Sequence, residues 1–160
     1  MEINILIEDE FKGRITRKQL IDIAKKVLTS ENTGDNIEMG ILITTQEKIK
    51  ELNRIYRHIN EPTDVLSFFM VPEKEQSPVT LKEIFITPPD NVRHLGEVII
   101  SYPQAKIQAV QQKHTVKDEI ITLLVHGTLH LLGYDHEAVP DRNRMKIRET
   151  AILKTIQESI

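Results

Sequence analysis

Apolar and polar residues alternate over 2–7 (EINILI), the two-residue period of a half-buried β-strand. From Thr16 the period lengthens. Thr16 followed by Gln19 is a capping-box pair, and Leu20, Ala24, Val27 and Leu28 then recur at helical spacing. The polar, glycine-containing SENTGDN at 30–36 predicts a loop, and IEMGILI at 37–43 a second strand. A helix starting at Thr44 or Thr45 would bury Ile49, Leu52 and Tyr56. DVLSFFM at 64–70 is rich in β-formers and predicts a third strand. Four of the seven prolines (Pro72, Pro78, Pro88, Pro89) fall between 71 and 94, which predicts an irregular excursion with EIFIT at 83–87 as a short extra strand. GEVIIS at 96–101 predicts a buried strand, with Ser101 and Gln104 capping the helix that follows. Thr115 and Asp118 read as another capping box, opening a helix through Ile120, Ile121, Leu123, Leu124 and Val125. That helix is apolar nearly all round and is therefore expected at the centre of the fold. A last amphipathic helix runs from about Pro140 toward the C-terminus. The elements define an α+β fold, one domain over residues 1–160, with a sheet of about four strands packed by helices. The pattern does not fix strand order.

Composition narrows the chemistry. The chain has 160 residues, 39% hydrophobic and 28% charged, as in an ordinary globular protein with a real core. It has no cysteine, which rules out disulfides and thiolate metal sites and suits a reducing cytoplasm. The acidic N-terminus (MEINILIEDE) does not resemble a signal peptide, and charged residues interrupt every apolar run short of a membrane span. Net charge is −3 and the pI about 6.1, against a broad nucleic-acid binder, whose domain pI usually exceeds ~9. Two local basic stretches stand out: Lys48, Lys50, Arg54 and Arg57, and then Arg142, Arg144, Lys146 and Arg148. Either can be simply a solvated helix face.

The densest chemistry lies at the end of the central helix, in HGTLHLLGYDH at 126–136. His126 and His130 are four apart, hence one turn apart on one helix face. Gly133 can adopt the positive φ that ends a helix and lets the chain return to deliver His136. Three imidazoles leave a tetrahedral zinc ion an open position, the mark of a catalytic site. The histidines and the glycine fit the zincin pattern H-E-x-x-H-x-x-G-x-x-H, but the glutamate that serves there as general base is here Gly127. The cage is therefore expected without the proteolytic base. Asp135 is placed either to hold an imidazole N–H or merely to stabilise the turn, and Glu137 reads as an exposed helix-start carboxylate. For a phosphodiester the missing component would be a cation for the non-bridging oxygens. Arg57, just after the second helix and before Pro62, is a candidate for that role.

Three blocks, LNRIYRHINEPTDVLSFF at 52–69, LGEVIIS at 95–101 and HGTLHLLGYDH at 126–136, resemble the bacterial YbeY family of metal-dependent single-strand endoribonucleases. The resemblance implies one zinc ion on His126, His130 and His136, and Arg57 assisting RNA binding or cleavage. It also implies single-stranded ribosomal RNA as substrate, in maturation of the 16S rRNA 3′ end and in ribosome quality control, with the ribosome or a ribosomal protein as a further partner and neither DNA nor a membrane. The sequence departs from the family pattern at Asn60 (commonly aspartate), Phe69 (commonly proline) and Glu97 (LGE for LGD), and its proline-rich excursion is longer than usual. Two other readings stay open: a metallo-amidase or peptidase on the same cage, and a zinc-stabilised ribosome-assembly factor that binds without cutting.

Overall fold

The structure, a computed structural model, describes residues 1–69, 92–135 and 137–158. Among them, four strands form one mixed sheet: β1 (Glu2–Ile7), β2 (Ile37–Thr44), β3 (Val65–Phe69) and β4 (Arg93–Ser101), in spatial order β1-β2-β4-β3. β1, β2 and β4 are parallel, and β3 runs antiparallel to β4 at the edge. The α-helices are α1 (Arg17–Ser30), α2 (Gln46–Arg57), α3 (Tyr102–Gln112), α4 (Val116–Leu131) and α5 (Val139–Glu158). This is the expected α+β architecture. No helix among the described residues is long and apolar enough to cross a membrane.

Strand alternation sends two sets of side chains to opposite faces of the sheet. One set, including Ile5, Ile7, Met39, Ile41, Ile43, Val98 and Ile100, joins α1 and α4 in the main core. On the other face, Ile49 of α2 packs with Leu66 and Ile99, backed by Leu42, Leu52 and Phe68. α4 has ten buried residues and is the central helix.

The structure modifies several expectations. Tyr56 was expected in the core but is 65% exposed. α2 ends beside the edge strand, where the Tyr56 ring meets Phe68 edge-on at 5.4 Å. The buried polar residue of that helix is Asn53, whose Nδ2 donates to the Glu61 carbonyl at 2.9 Å and ties down the turn leaving α2. Thr16 and Gln19 form a complete capping box, whereas at Thr115 only half exists: its hydroxyl accepts the Asp118 N–H. Aspartate is one methylene shorter than the Glu or Gln that closes such a box. β4 begins at Arg93 rather than Gly96. A bulge pairs Glu38 with His94 but Met39 with Gly96, so Leu95 is extra and the alternation is broken where the strand starts. The suggested strand at 83–87 and most of the proline-rich excursion lie outside the described residues.

Candidate metal centre and its cleft

The C-terminal half of α4 lies unusually close to the sheet at Gly127. A Cβ there would stand 2.7 Å from Val98 Cγ1 and 3.2 Å from Ser67 Oγ, so a glycine is what allows the approach. Ser67 Oγ fills the gap by donating to the Gly127 carbonyl at 3.0 Å. The helix then ends in a Schellman arrangement. Gly133 has φ +103°, its N–H donates to the His130 carbonyl at 3.0 Å, and the Tyr134 N–H reaches the Leu129 carbonyl at 3.1 Å. Gly133 thus turns the chain as its place in the sequence predicts.

His126 and His130 project from one face of α4 with ring centroids 4.8 Å apart and planes at 75°. His126 Nδ1 sits 2.5 Å from Glu149 Oε1 on α5. A carboxylate on Nδ1 fixes the ring orientation and assigns any metal-binding role to Nε2. His136 lies outside the described residues, so the structure brings together two of the three expected ligands. Asp135 Oδ1 accepts the Glu137 N–H at 3.1 Å, the turn-stabilising contact that was one of its two expected roles.

These groups open into a cleft of about 840 Å³ between the end of α4, the edge strand β3 and the last turn of α2. Arg57, Asp64, Phe69, His126, His130, Asp135 and Glu137 line it. Arg57 is the final residue of α2. The left-handed cap at His58 (φ +60°) and the Asn53–Glu61 bond turn the chain sharply there, which brings a helix from the opposite face of the sheet to the rim. Asp64 accepts the Val65 N–H (2.8 Å) on one oxygen and Gln108 Nε2 (3.2 Å) on the other, so its carboxylate is engaged in holding the loop. Tyr134 anchors the loop after α4. Its hydroxyl donates to Glu31 Oε1 at 2.5 Å, and Arg148 Nε holds Glu31 Oε2 at 2.8 Å. That bond to Glu31, with burial adding to it, raises the Tyr134 phenol above its ordinary pKa and keeps it a neutral donor, against a smaller opposing pull from Arg148.

The cleft's charge bears on what it holds. Asp64, Asp135 and Glu137 face Arg57 alone among its described lining, leaving two negative charges in excess when both histidines are neutral. Two convergent imidazoles, one braced by a carboxylate, within an electronegative cleft make a donor set suited to a divalent cation.

Glu149 and Tyr134 carry site roles that motif spacing did not reveal. Glu149 has a local signal: Met145, Glu149, Ile152 and Ile156 share one helical stripe, and Met145, Ile152 and Ile156 are buried. A carboxylate on a core-facing stripe needs a partner.

An α+β fold with helices on both faces of its sheet thus brings a histidine pair from the central helix and an arginine from the end of α2 into one cleft. The sequence matches the family described as Endoribonuclease YbeY over residues 4–157, and the chain belongs to that family. It is 49% identical over 158 residues to a protein named Endoribonuclease YbeY from Dehalococcoides mccartyi, covering 99% of this chain and 91% of that one. It is 36% identical over 155 residues to one of the same name from Chloroflexus aggregans, covering 96% and 95%. The solution structure of TM1509 from Thermotoga maritima aligns with a TM-score of 0.57 at 24% identity, over 98% of this chain and 93% of that one, a likeness of fold.

Proposed function

We propose that this chain is a zinc-dependent endoribonuclease that cuts single-stranded RNA, acting in maturation of the 16S rRNA 3′ end and in ribosome quality control. One observation carries the reading: Arg57, on a different helix and the opposite side of the sheet, lines the same cleft as His126 and His130. A planar guanidinium can take two non-bridging phosphate oxygens at once, which a lysine or a backbone amide cannot.

His126, His130 and His136 would hold the ion, which when bound would act as a Lewis acid on a phosphoryl oxygen and acidify a nearby water. Arg57 orients the phosphate and stabilises charge that develops on it. Glu149 keeps the His126 ring in place, and the Schellman turn with the Tyr134–Glu31 bond directs the chain leaving α4 back toward the cleft. Three imidazoles favour zinc over the harder divalent ions. The peptidase alternative is weakened at Gly127, where the side chain of a general base would collide with Val98.

The test pairs metal analysis of the purified protein with cleavage of a short unstructured oligoribonucleotide. His130→Ala should lose both metal and cutting. Arg57→Ala should keep the metal and lower kcat by roughly 100-fold, the usual cost of removing one transition-state donor. Full cutting by a demonstrably metal-free protein would reject the proposal.

A further inference from the structure

Phe69 ends β3 and lines the same cleft as Arg57, yet it is 47% exposed. Alternation along the strand puts it on the face of Val65 and Ser67, toward α4, while Phe68 turns the other way to meet Tyr56. Its partner across the ladder is Gly96, so no side chain on β4 directly covers the ring. Shielding a glycine backbone is one use for such an aromatic. It accounts for one face of the ring and leaves unexplained a half-exposed apolar surface in a cleft whose other described lining is mostly polar. Elsewhere in the molecule, the lysine-lined hollow between α1 and α4 and the Glu38–His94 pair on the sheet offer no comparable link to a reacting centre.

We infer that Phe69 is a stacking platform for an unpaired nucleobase flanking the phosphate held by Arg57, an inference that rests on the ribonuclease reading above. Every base offers a π-face, so a phenyl ring binds it without regard to sequence. A base inside a duplex already has both faces covered by its neighbours. A platform in the cleft therefore favours single strands, and the Arg57 guanidinium in the same cleft offers a partner for a phosphate of that strand.

Four variants test the inference on a short unstructured oligoribonucleotide. Phe69→Ala should raise KM by about 5- to 100-fold, the usual effect of losing one base–aromatic stack, with kcat little changed. Phe69→Leu keeps apolar bulk without a π-face and should behave like the alanine variant, which separates stacking from simple packing. Phe69→Trp should retain the wild-type KM. Because the chain contains no other tryptophan, quenching of its fluorescence on adding RNA reads stacking directly, independent of cutting. Tyr56→Ala removes an exposed aromatic outside the cleft and should leave KM unchanged. An abasic nucleotide beside the cleavage point should erase the difference between wild type and Phe69→Ala. Wild-type KM in Phe69→Leu, or an unquenched tryptophan, overturns the inference while the ribonuclease reading stands. Failure of the wild-type protein to cut or bind RNA overturns both.

Discussion

Replacing Gly127 with alanine should destabilise the protein even though alanine is the better helix former. Intrinsic propensity alone favours the substitution by about 1 kcal/mol in a helix interior. Against that, the new Cβ would lie 2.7 Å from Val98 Cγ1 and 3.2 Å from both Val98 Cγ2 and Ser67 Oγ. Val98 is fully buried and β-branched, so it cannot swing aside, and overpacking of this kind costs about 1–3 kcal/mol. The balance is a net loss of up to about 2 kcal/mol. Urea midpoints of Gly127→Ala, Val98→Ala and the double variant would measure it. Val98→Ala removes the obstructing methyls, so the double variant should be more stable than the sum of the singles by about 1–2 kcal/mol. If Gly127→Ala proves stabilising and the two changes are additive, the close approach of α4 to the sheet is not what dictates this glycine.

Three more predictions address the site. Glu149→Ala should weaken metal binding by about 10- to 100-fold with unchanged far-UV circular dichroism, since it removes a brace rather than a ligand; chelator competition measures this. Tyr134→Phe should cost about 1 kcal/mol at neutral pH, a modest value for a partly exposed bond to a carboxylate. Because the folded-state phenol is raised, the stability it contributes is complete below the unfolded value near ~10 and is lost as pH rises through the folded pKa. The wild-type advantage over Tyr134→Phe should therefore be level from neutral pH up to about 10 and shrink above it, and an advantage unchanged in strong alkali would refute the assignment. Finally, an excess of two negative charges in the metal-free cleft should make RNA and metal binding mutually reinforcing. A non-cleavable single strand should raise metal affinity by the same factor by which metal raises affinity for the strand, and equal affinities with and without the second ligand would count against this.

Much of the fold was legible because its signals are local. The period in β1, the Thr16 box, the apolar run of α4 and Gly133 each depend on residues within a turn or two of one another, and all appear as the pattern predicts. The histidine pair was legible for the same reason, since i and i+4 share a helix face whatever surrounds the helix. The failures are tertiary. Tyr56 has helical spacing for burial, but among the described residues β3 is the edge of the sheet, and no local pattern records where a sheet ends. Leu95 broke the alternation through a bulge specified by pairing with β2. Glu149 braces His126 across 23 residues, a relation set by how α5 crosses α4.

The glycine in the histidine motif connects these levels. Read along the chain, Gly127 is a missing base; in the fold, it is the contact by which α4 presses against β3 and β4. The helix position that a zincin devotes to chemistry is here committed to packing, so groups acting on substrate must come from the other walls of the cleft. Those walls are the end of α2 and the edge strand, which carry Arg57 and Phe69, the residues proposed above to take a phosphate and a base. A carboxylate on the helix would suit a neutral amide that needs its nucleophile deprotonated, and position 127 has no room for one. On the proposed reading, backbone contact at position 127 and a guanidinium elsewhere in the cleft would suit a phosphodiester better than a peptide without altering the histidine spacing.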